Sequence, residues 1–388
     1  MTLKILTTIT GNLVTCLRRS TRNCKPVASF TLTVPGTPLA RFYSQPLSHN
    51  EVKVPVENLN LVTSLEEMGV DLTAFRKIDA ILLKKATTHE KTLKQFLLHK
   101  GADAKMVASI ISRYPRAITR QYEVLDEMWN IWKEILGTDE TVLSVAQRSP
   151  ESFFRTSNTE NLLKNICYFQ SLGLPSRILS QLMLRAPRTF ANSIDLNKQH
   201  VKHLLGLCSQ LGGKNPREFL REVLSKNIFI LTKSVSRVQS NIECMKTLMN
   251  LDDHALLLWI QDNGAPILNL SYTYFESNFK GVHSVLESLG CTEAEISLFI
   301  FTYPKVLLMT PKVFETKVNS LLECGGGVKE ILNNPNLLVM QIKTLKSKIK
   351  MLTECGYDFQ SSGLSVLLLS QAKLTSKVER LHNSESLN

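Results

Sequence analysis

A short phrase centred on a proline recurs along the chain, and it limits the possible folds more than any other feature. Its copies are centred on Pro115, Pro150, Pro187, Pro266, Pro304 and Pro335, and Ile228 stands where one further proline is expected. The intervals between these anchors are 35, 37, 41, 38, 38 and 31 residues. Three residues after the anchor the chain is apolar in every copy but one, which has Asn269. Self-similarity at a nearly constant period is the signature of a repeat protein.

Each anchor is preceded by two helical patterns that a glycine-containing turn separates. Before Pro187, Gly173 is predicted to end the first helix and Ser176 to cap the second. In another copy, Thr292 and Glu295 form a predicted capping box. The proline then ends the second helix, because it lacks a backbone N–H and restricts the residue before it.

These units predict an all-α protein, an α-solenoid of tandem helical repeats, because a helix pair that cannot bury its apolar face alone stacks on its neighbours. Weaker half-units at 60–82 and 348–370 flank the anchored copies and are predicted to cap the stack. We therefore expect a solenoid of about eight to nine units over 60–381, followed by a C-terminal tail at 382–388.

The first 43 residues contain six basic residues and no acid, and they are rich in Ser and Thr. This composition predicts a mitochondrial transit peptide at 1–43, with cleavage after Tyr43, followed by a linker at 44–59. The predicted location is the mitochondrial matrix, in the nucleoid. The alternative is that this segment is a disordered basic tail. In a reducing matrix the cysteines, none of which forms C-x-x-C, are expected to pack as free thiols without metal.

Positive charge follows the repeat. The formal net charge is +12, and near +6 remains without the leader. Basic residues recur beside the anchors, namely Arg113, Arg116, Arg148, Arg155, Arg185, Arg188, Lys226 and Lys305. Stacking places equivalent positions in one stripe, which is the arrangement that contact with a phosphate backbone requires. A lysine-rich helix with Lys343, Lys346, Lys348 and Lys350 adds to it, while a solvated surface remains the alternative for each single residue.

The repeated phrase resembles the mitochondrial transcription termination factor (mTERF) family, most closely its founding metazoan member. The resemblance covers about 60–381 and is carried by "FLLHKGADAKMVASIISRYPRAITR" (96–120), "RSPESFFR" (148–155), "APRTFANSIDLNKQ" (186–199), "GAPILNLS" (264–271) and "SLGCTEAEI" (288–296). It implies helical repeats that follow the major groove of duplex DNA within a mitochondrial leucine-tRNA gene. It also implies bending, unwinding and eversion of bases.

The resemblance also assigns roles to individual residues. Base stacking falls on Arg148, Phe229 and Tyr274, whose flat side chains suit the face of any base. DNA contacts fall on Arg155, Arg188, Arg237, Asn336 and Lys373. The last two depart from the family pattern, which has arginine at both positions; Asn still suits adenine, and Lys keeps the charge without the bidentate fork.

Three functions remain open at this point. The first is a DNA-binding terminator of mitochondrial transcription, the second an RNA-binding factor for mitochondrial ribosome assembly, and the third a protein-interaction scaffold. We expect no enzyme, cofactor, metal, membrane or small-molecule substrate, and a monomer. The pair His200 and His203 has no evident third ligand, and "ECGGGVKE" (323–330) lacks the Lys-Ser/Thr of a phosphate-binding loop.

Overall fold

The computed structural model describes residues 56–156 and 158–385. All regular structure in those ranges is helical, and no strand occurs there. The elements alternate as a first helix, a turn, a second helix, and a single helical turn at the anchor, which we call the joint. Residues 56–156 and 158–385 contain nine such units, numbered 1 to 9 from the N-terminal side, and a last helix, Gln371–Glu385. The prediction of an all-α repeat solenoid is confirmed.

The bounds of the elements follow the repeat. The first helices are Leu59–Glu67, Glu90–His99, Tyr122–Leu136, Glu160–Ser171, Ile194–Gln210, Val235–Met249, Tyr272–Ser288, Pro311–Glu323 and Ile342–Glu354. The second helices are Leu72–Asp79, Ala104–Arg113, Asp139–Arg148, Ser176–Arg185, Pro216–Lys226, Asp253–Trp259, Glu293–Thr302, Val328–Asn333 and Phe359–Ser362. The joints are Ala80–Lys84, Pro115–Thr119, Pro150–Phe154, Arg188–Ala191, Ile228–Thr232, Ala265–Asn269, Pro304–Leu308, Asn336–Val339 and Leu364–Leu368.

Two predicted segments fall wholly or largely outside the described residues. These are the transit peptide at 1–43 and most of the linker at 44–59; the last three residues of the tail are also outside. The two weaker half-units are complete units in the structure, since units 1 and 9 each have both helices and a joint.

The turns between paired helices are built largely as predicted. Gly173 has φ +71°, and its N–H donates to the carbonyl of Gln170 over 3.0 Å, so it ends its helix as expected. Thr292 and Glu295 form the capping box. Ser176 is not a cap, because Pro175 takes the extended N-cap conformation and Ser176 becomes the first helical residue.

The joints pack on one another in sequence from unit 2 to unit 9. In each of them the anchor is buried, and so is the residue three positions later. In unit 2, Pro115 and Ile118 are buried while Arg116 between them is exposed. The joints therefore form one continuous row, whose buried side chains fix the direction in which the remaining ones point.

In unit 6 the anchor is Ala265, one residue before the predicted Pro266. Ala265 and Leu268 are buried, whereas Asn269 is only half-buried. The sequence pattern placed the anchor of this unit one residue too late, and for that reason a polar residue stood three positions after it. The second helix of this unit continues into a π-helical turn, Ile260–Gly264. A Cβ on Gly264 would lie 2.3 Å from the Trp259 ring, so only glycine permits this turn to pack on the indole.

Aromatic side chains form the core of units 2 to 4. Their rings meet mostly edge to face in a chain that runs Phe96, Trp129, Phe153, Trp132, Phe190 and Phe169, with centroids 5.5 to 6.1 Å apart. Each such pair adds about 0.5–1.5 kcal/mol to the stabilisation from burial. These units are held together by large apolar surfaces that cross from one unit to the next.

Polar side chains bridge the first helix and the joint within units 4 to 9. The bridging residues are Asn165, His200, Asn241, Asn278, Lys317 and Lys348, all of them buried. Each hydrogen-bonds to the backbone carbonyl three residues after its anchor, respectively Phe190, Leu231, Leu268, Leu307, Leu338 and Leu367. The bridge satisfies a carbonyl at the end of the joint that has no partner in its own short helix.

One predicted basic surface residue belongs to this set. Lys348 was expected to add to the positive surface, but it is buried, and its Nζ donates to the carbonyls of Leu367 and Leu369 over 2.8 and 2.6 Å. Lys343, Lys346 and Lys350 are exposed as expected.

Candidate nucleic-acid interface

The residue directly after the anchor is exposed in seven of the eight joints from unit 2 to unit 9, the exception being the half-buried Pro266 of unit 6. Arg116, Arg188, Phe229, Lys305 and Asn336 all occupy this position, and all are exposed. Because successive joints pack on one another, these residues lie along one line of the surface. The structure therefore places on one line three kinds of candidate: the basic residues Arg116, Arg188 and Lys305, the base-stacking residue Phe229, and the DNA-contacting residue Asn336.

A second line of candidates lies where each joint leads into the next helix. Arg237, Tyr274 and Lys373 are each the third residue of a helix that begins directly after a joint, and all three are exposed. Ser234 caps the first of these helices by accepting from the backbone N–H of Arg237, and Ser271 caps the second in the same way through Tyr274. The cap fixes where the helix begins, so the side chains of Arg237 and Tyr274 project from the surface beside the joints.

A third set lies at the ends of the second helices. The last residue there is basic in four consecutive units, namely Arg113, Arg148, Arg185 and Lys226. Three of them donate to a backbone carbonyl near the end of the next second helix: Arg113 to Gln147, Arg148 to Leu184 and Lys226 to Gln261. A cation is favoured there because the last carbonyls of a helix carry partial negative charge. These residues link one unit to the next, a role that the sequence did not reveal.

Arg148, to which the resemblance assigns base stacking, is therefore already engaged. Its side chain is exposed, but Nη2 donates to the Leu184 carbonyl of the following unit. Stacking on a base would require the guanidinium to leave this carbonyl.

Phe229, also assigned to base stacking, is supported from within the protein. Its side chain is 37% exposed. The guanidinium carbon of Arg185 lies over the ring, 5.5 Å from its centroid. This cation–π contact links the end of the second helix of unit 4 to the joint of unit 5 and restrains the ring. Tyr274 is 38% exposed and has no such ring or cation contact within 56–156 and 158–385.

The basic candidates differ in whether they already have a partner. Arg116 forms a 2.9 Å ion pair with Asp79, and this hydrogen bond raises the pKa of the guanidinium. Arg155 lies 3.8 Å from Glu151, one helical turn away. In contrast, the side chains of five candidates make no hydrogen bond or ion pair with the described residues: Arg188, Arg237, Lys305, Asn336 and Lys373. Most of these unpartnered side chains belong to units 6 to 9 and the last helix.

The first turns of the first helices show the same division. In units 2 to 5 each carries an acid, namely Glu90, Glu123, Glu160 or Asp195. In units 6 to 9 and in the last helix the first turn has none. Several have a base there instead: Arg237, Lys312, Lys343 and Lys373.

Positive charge at a helix N-terminus opposes the helix dipole, so local stability does not account for this pattern. An external anion such as phosphate is favoured at these N-termini. Sequence reasoning missed Lys312, and the signal that identifies it is the absence of acid from consecutive first turns.

Nothing in the described part of the chain indicates a metal centre. No group of three or more His, Cys, Asp or Glu residues is arranged to hold an ion there. His200 is used by its bond to Leu231, and the Nε2 atom of His203 is buried without a described partner. Burial, and then the nearby His200, lowers the pKa of His203. Across 56–156 and 158–385, no helix combines the length and apolarity needed to cross a membrane.

Comparisons with known proteins place these features in a family. The model of the mTERF family matches residues 62–374. Mitochondrial transcription termination factor 1 of Rattus norvegicus is 43% identical over 325 residues, which cover 84% of this chain and 87% of the rat protein. The Homo sapiens protein of that name is 42% identical over 286 residues, or 74% and 72% of the two chains. Human mitochondrial transcription termination factor 2 is 26% identical over 277 residues, 71% of each chain. The chain belongs to the mTERF family.

Proposed function

We propose that this protein terminates mitochondrial transcription by binding double-stranded DNA at a specific sequence. The observation that carries the proposal is the row of joints, where the position directly after the anchor holds the exposed side chains of Arg116, Arg188, Phe229 and Lys305 in units 2, 4, 5 and 7. The names of its relatives support a role in mitochondrial transcription termination. The protein acts as a binding protein rather than a catalyst, works in the mitochondrial matrix, and binds as a monomer.

Phosphate contacts position the protein on the duplex. Arg188, Arg237, Lys305 and Lys373 make no side-chain hydrogen bond or ion pair with the residues that the structure describes, so they bind phosphate or base edges at low cost. Arg155 first leaves Glu151, which weakens its net contribution. The acid-free helix N-termini of units 6 to 9 add backbone N–H groups on the same side.

Base eversion supplies the specific part of the complex. Phe229 and Tyr274 offer ring faces, and Arg148 offers a guanidinium plane once it leaves the Leu184 carbonyl; unpaired bases stack on such groups at about 1–3 kcal/mol each. This stabilisation offsets the few kcal/mol needed to unstack and unpair each base. The target site lies within a mitochondrial leucine-tRNA gene downstream of the rRNA genes, where the protein bends and unwinds the duplex.

The first experiment compares three ligands over a series of salt concentrations. They are a duplex with the leucine-tRNA gene site, a scrambled duplex and a structured RNA, measured by fluorescence anisotropy with the mature protein. The proposal predicts that the specific duplex still binds more tightly than the scrambled duplex at moderate salt. Its affinity should also fall steeply in a plot of log K against log salt concentration, because phosphate contacts are lost. RNA binding as tight as that of the specific duplex would instead favour the role in ribosome assembly.

The second experiment isolates base stacking. The triple variant Arg148→Ala, Phe229→Ala and Tyr274→Ala should abolish termination in a reconstituted transcription assay and leave the affinity for scrambled duplex nearly unchanged. A matched triple variant, Arg221→Ala, Leu258→Ala and Phe301→Ala, removes exposed side chains of the second helices and should terminate normally. Termination by the first variant would contradict base eversion.

A further inference from the structure

A groove of about 170 Å³ lies on the joint side of units 7 and 8. Its walls include Tyr303 at the end of a second helix, Lys305 in the following joint, and Asn336 and Val339 in the joint of unit 8. Asn263, from the π-helical turn of unit 6, completes one side. None of the lining residues is acidic.

The side chains in the groove are accessible and uncommitted. Tyr303 is 38% exposed and Val339 48% exposed. The Tyr303 hydroxyl, the Lys305 ammonium and the Asn336 amide make no hydrogen bond or ion pair within the described residues. The Tyr303 ring is supported on the protein side by Phe299, whose ring centroid is 5.9 Å away. The groove therefore has a rigid aromatic wall and three free polar groups.

Each of these groups matches a different part of a nucleotide. The Tyr303 ring and the Val339 methyl groups offer apolar surface against which a base can stack. The Asn336 amide carries both a donor and an acceptor, which is the pair that recognises the N6 and N7 edge of adenine. Lys305 supplies a positive charge for a phosphate, and the absence of acids in the walls leaves that charge uncompensated.

The position of the groove indicates where such a nucleotide comes from. Lys305 and Asn336 are members of the row of joints, so the groove opens onto the proposed interface. A strand that follows the row therefore passes its mouth. A paired base does not enter, because its partner strand and its stacked neighbours hold it in the duplex.

We propose that this groove holds one unpaired nucleotide of a bound strand, with a preference for adenine. This is a base-binding position separate from Arg148, Phe229 and Tyr274, and it rests on the proposed nucleic-acid binding. It gives Asn336 a definite role, the recognition of a base that Tyr303 holds by stacking.

The test uses short labelled duplexes that are identical except for one unpaired nucleotide. The bulge is dA, dT, dC or dG, and a fully paired duplex is the reference, with affinity measured by anisotropy on the mature protein. The wild type should bind the dA bulge roughly tenfold more tightly than the paired duplex, as expected for one stacked base. Tyr303→Leu should remove most of that gain, and Asn336→Leu should remove the preference for dA over dT. Lys305→Ala should weaken binding of every duplex and reduce the salt slope by roughly 0.9.

The matched control is Phe301→Leu. Phe301 is 37% exposed, lies two residues before Tyr303, and lines a different groove with Met249 and Phe279. This variant should keep the full gain for the dA bulge. If Tyr303→Leu and Asn336→Leu both behave like Phe301→Leu while the wild type binds paired duplex, the groove proposal is wrong and the proposed function stands. A wild type that binds no duplex at all would overturn both proposals.

Discussion

Units 2 to 4 and units 6 to 9 are copies of one repeat, yet they are stabilised and charged differently. The earlier units share a chain of aromatic rings, and Arg116 and Arg155 near their joints are paired with acids. The later units use one buried polar bridge each, and the exposed Arg237 and Lys305 beside their joints make no side-chain hydrogen bond or ion pair with the described residues. The difference teaches that copies of one repeat can be held together by different contacts and can differ in how many of their exposed cations are paired, although Arg188 in the joint of unit 4 is unpaired like those of the later units.

The largest expected effect tests the aromatic core. Trp129→Ala removes a buried indole that contacts the Phe96 and Phe153 rings, so we expect the free energy of unfolding to fall by about 3–5 kcal/mol. Chemical denaturation gives the total loss, and amide hydrogen exchange gives its location. Because repeats are coupled mainly to their neighbours, exchange should rise first in units 2 to 4. An equal rise in units 7 to 9 would show that the two regions unfold as one.

The next prediction tests a polar bridge. Asn241→Ala leaves the carbonyls of Leu268 and Leu270 without their donor, and we expect a loss of about 2 kcal/mol. The control Ser240→Ala changes an exposed neighbour and should stay within about 0.5 kcal/mol of the wild type. If both variants unfold at the same denaturant concentration, the bridge does not stabilise the later units.

A smaller effect is expected in the affinity for duplex DNA, where a cation without a partner in the described residues is compared with one in an ion pair. Arg237→Ala should weaken duplex binding several-fold and reduce the log–log salt slope by about 0.9, because one phosphate contact is lost. The double variant Asp79→Asn, Arg116→Ala removes an ion pair that carries no net charge, so the log–log salt slope should stay unchanged. Equal slopes for the two variants would show that pairing within the protein does not decide which cations bind DNA.

The smallest effect concerns pH. Burial lowers the pKa of His203 below its ordinary value of 6.5. At a pH between the folded-state pKa and 6.5, the imidazole therefore binds a proton in the unfolded chain but not in the folded protein. Stability should therefore fall as pH drops below 6.5 and level off below the folded-state pKa. His203→Phe removes this titration, and the difference in melting temperature between the two proteins should change with acidification. A pH-independent difference would contradict the assignment.

Much of this architecture follows from the sequence alone, because it is local and repeated. The anchors, the glycine of the turn at Gly173 and the capping box at Thr292 depend on backbone conformation and neighbouring residues, so their pattern was sufficient to predict helices and a solenoid. The outward positions also followed, since a fixed period gives equivalent residues equivalent places. Ser176 was misassigned because two adjacent residues can both serve as a helix start, and Pro175 took the cap.

Tertiary structure decided what the period does not encode. In unit 6 a π-helical turn packs on Trp259 and the anchor is Ala265 rather than Pro266; a difference of one residue in register leaves no mark on a pattern with variable intervals. Lys348 is buried while Lys346 and Lys350 are exposed, because only its position faces the carbonyls at the end of a joint. The sequence by itself determined a basic helical repeat of the mTERF family. Which of its charges are free depends on partners that lie in neighbouring units, as Asp79 does for Arg116 and the Leu184 carbonyl does for Arg148.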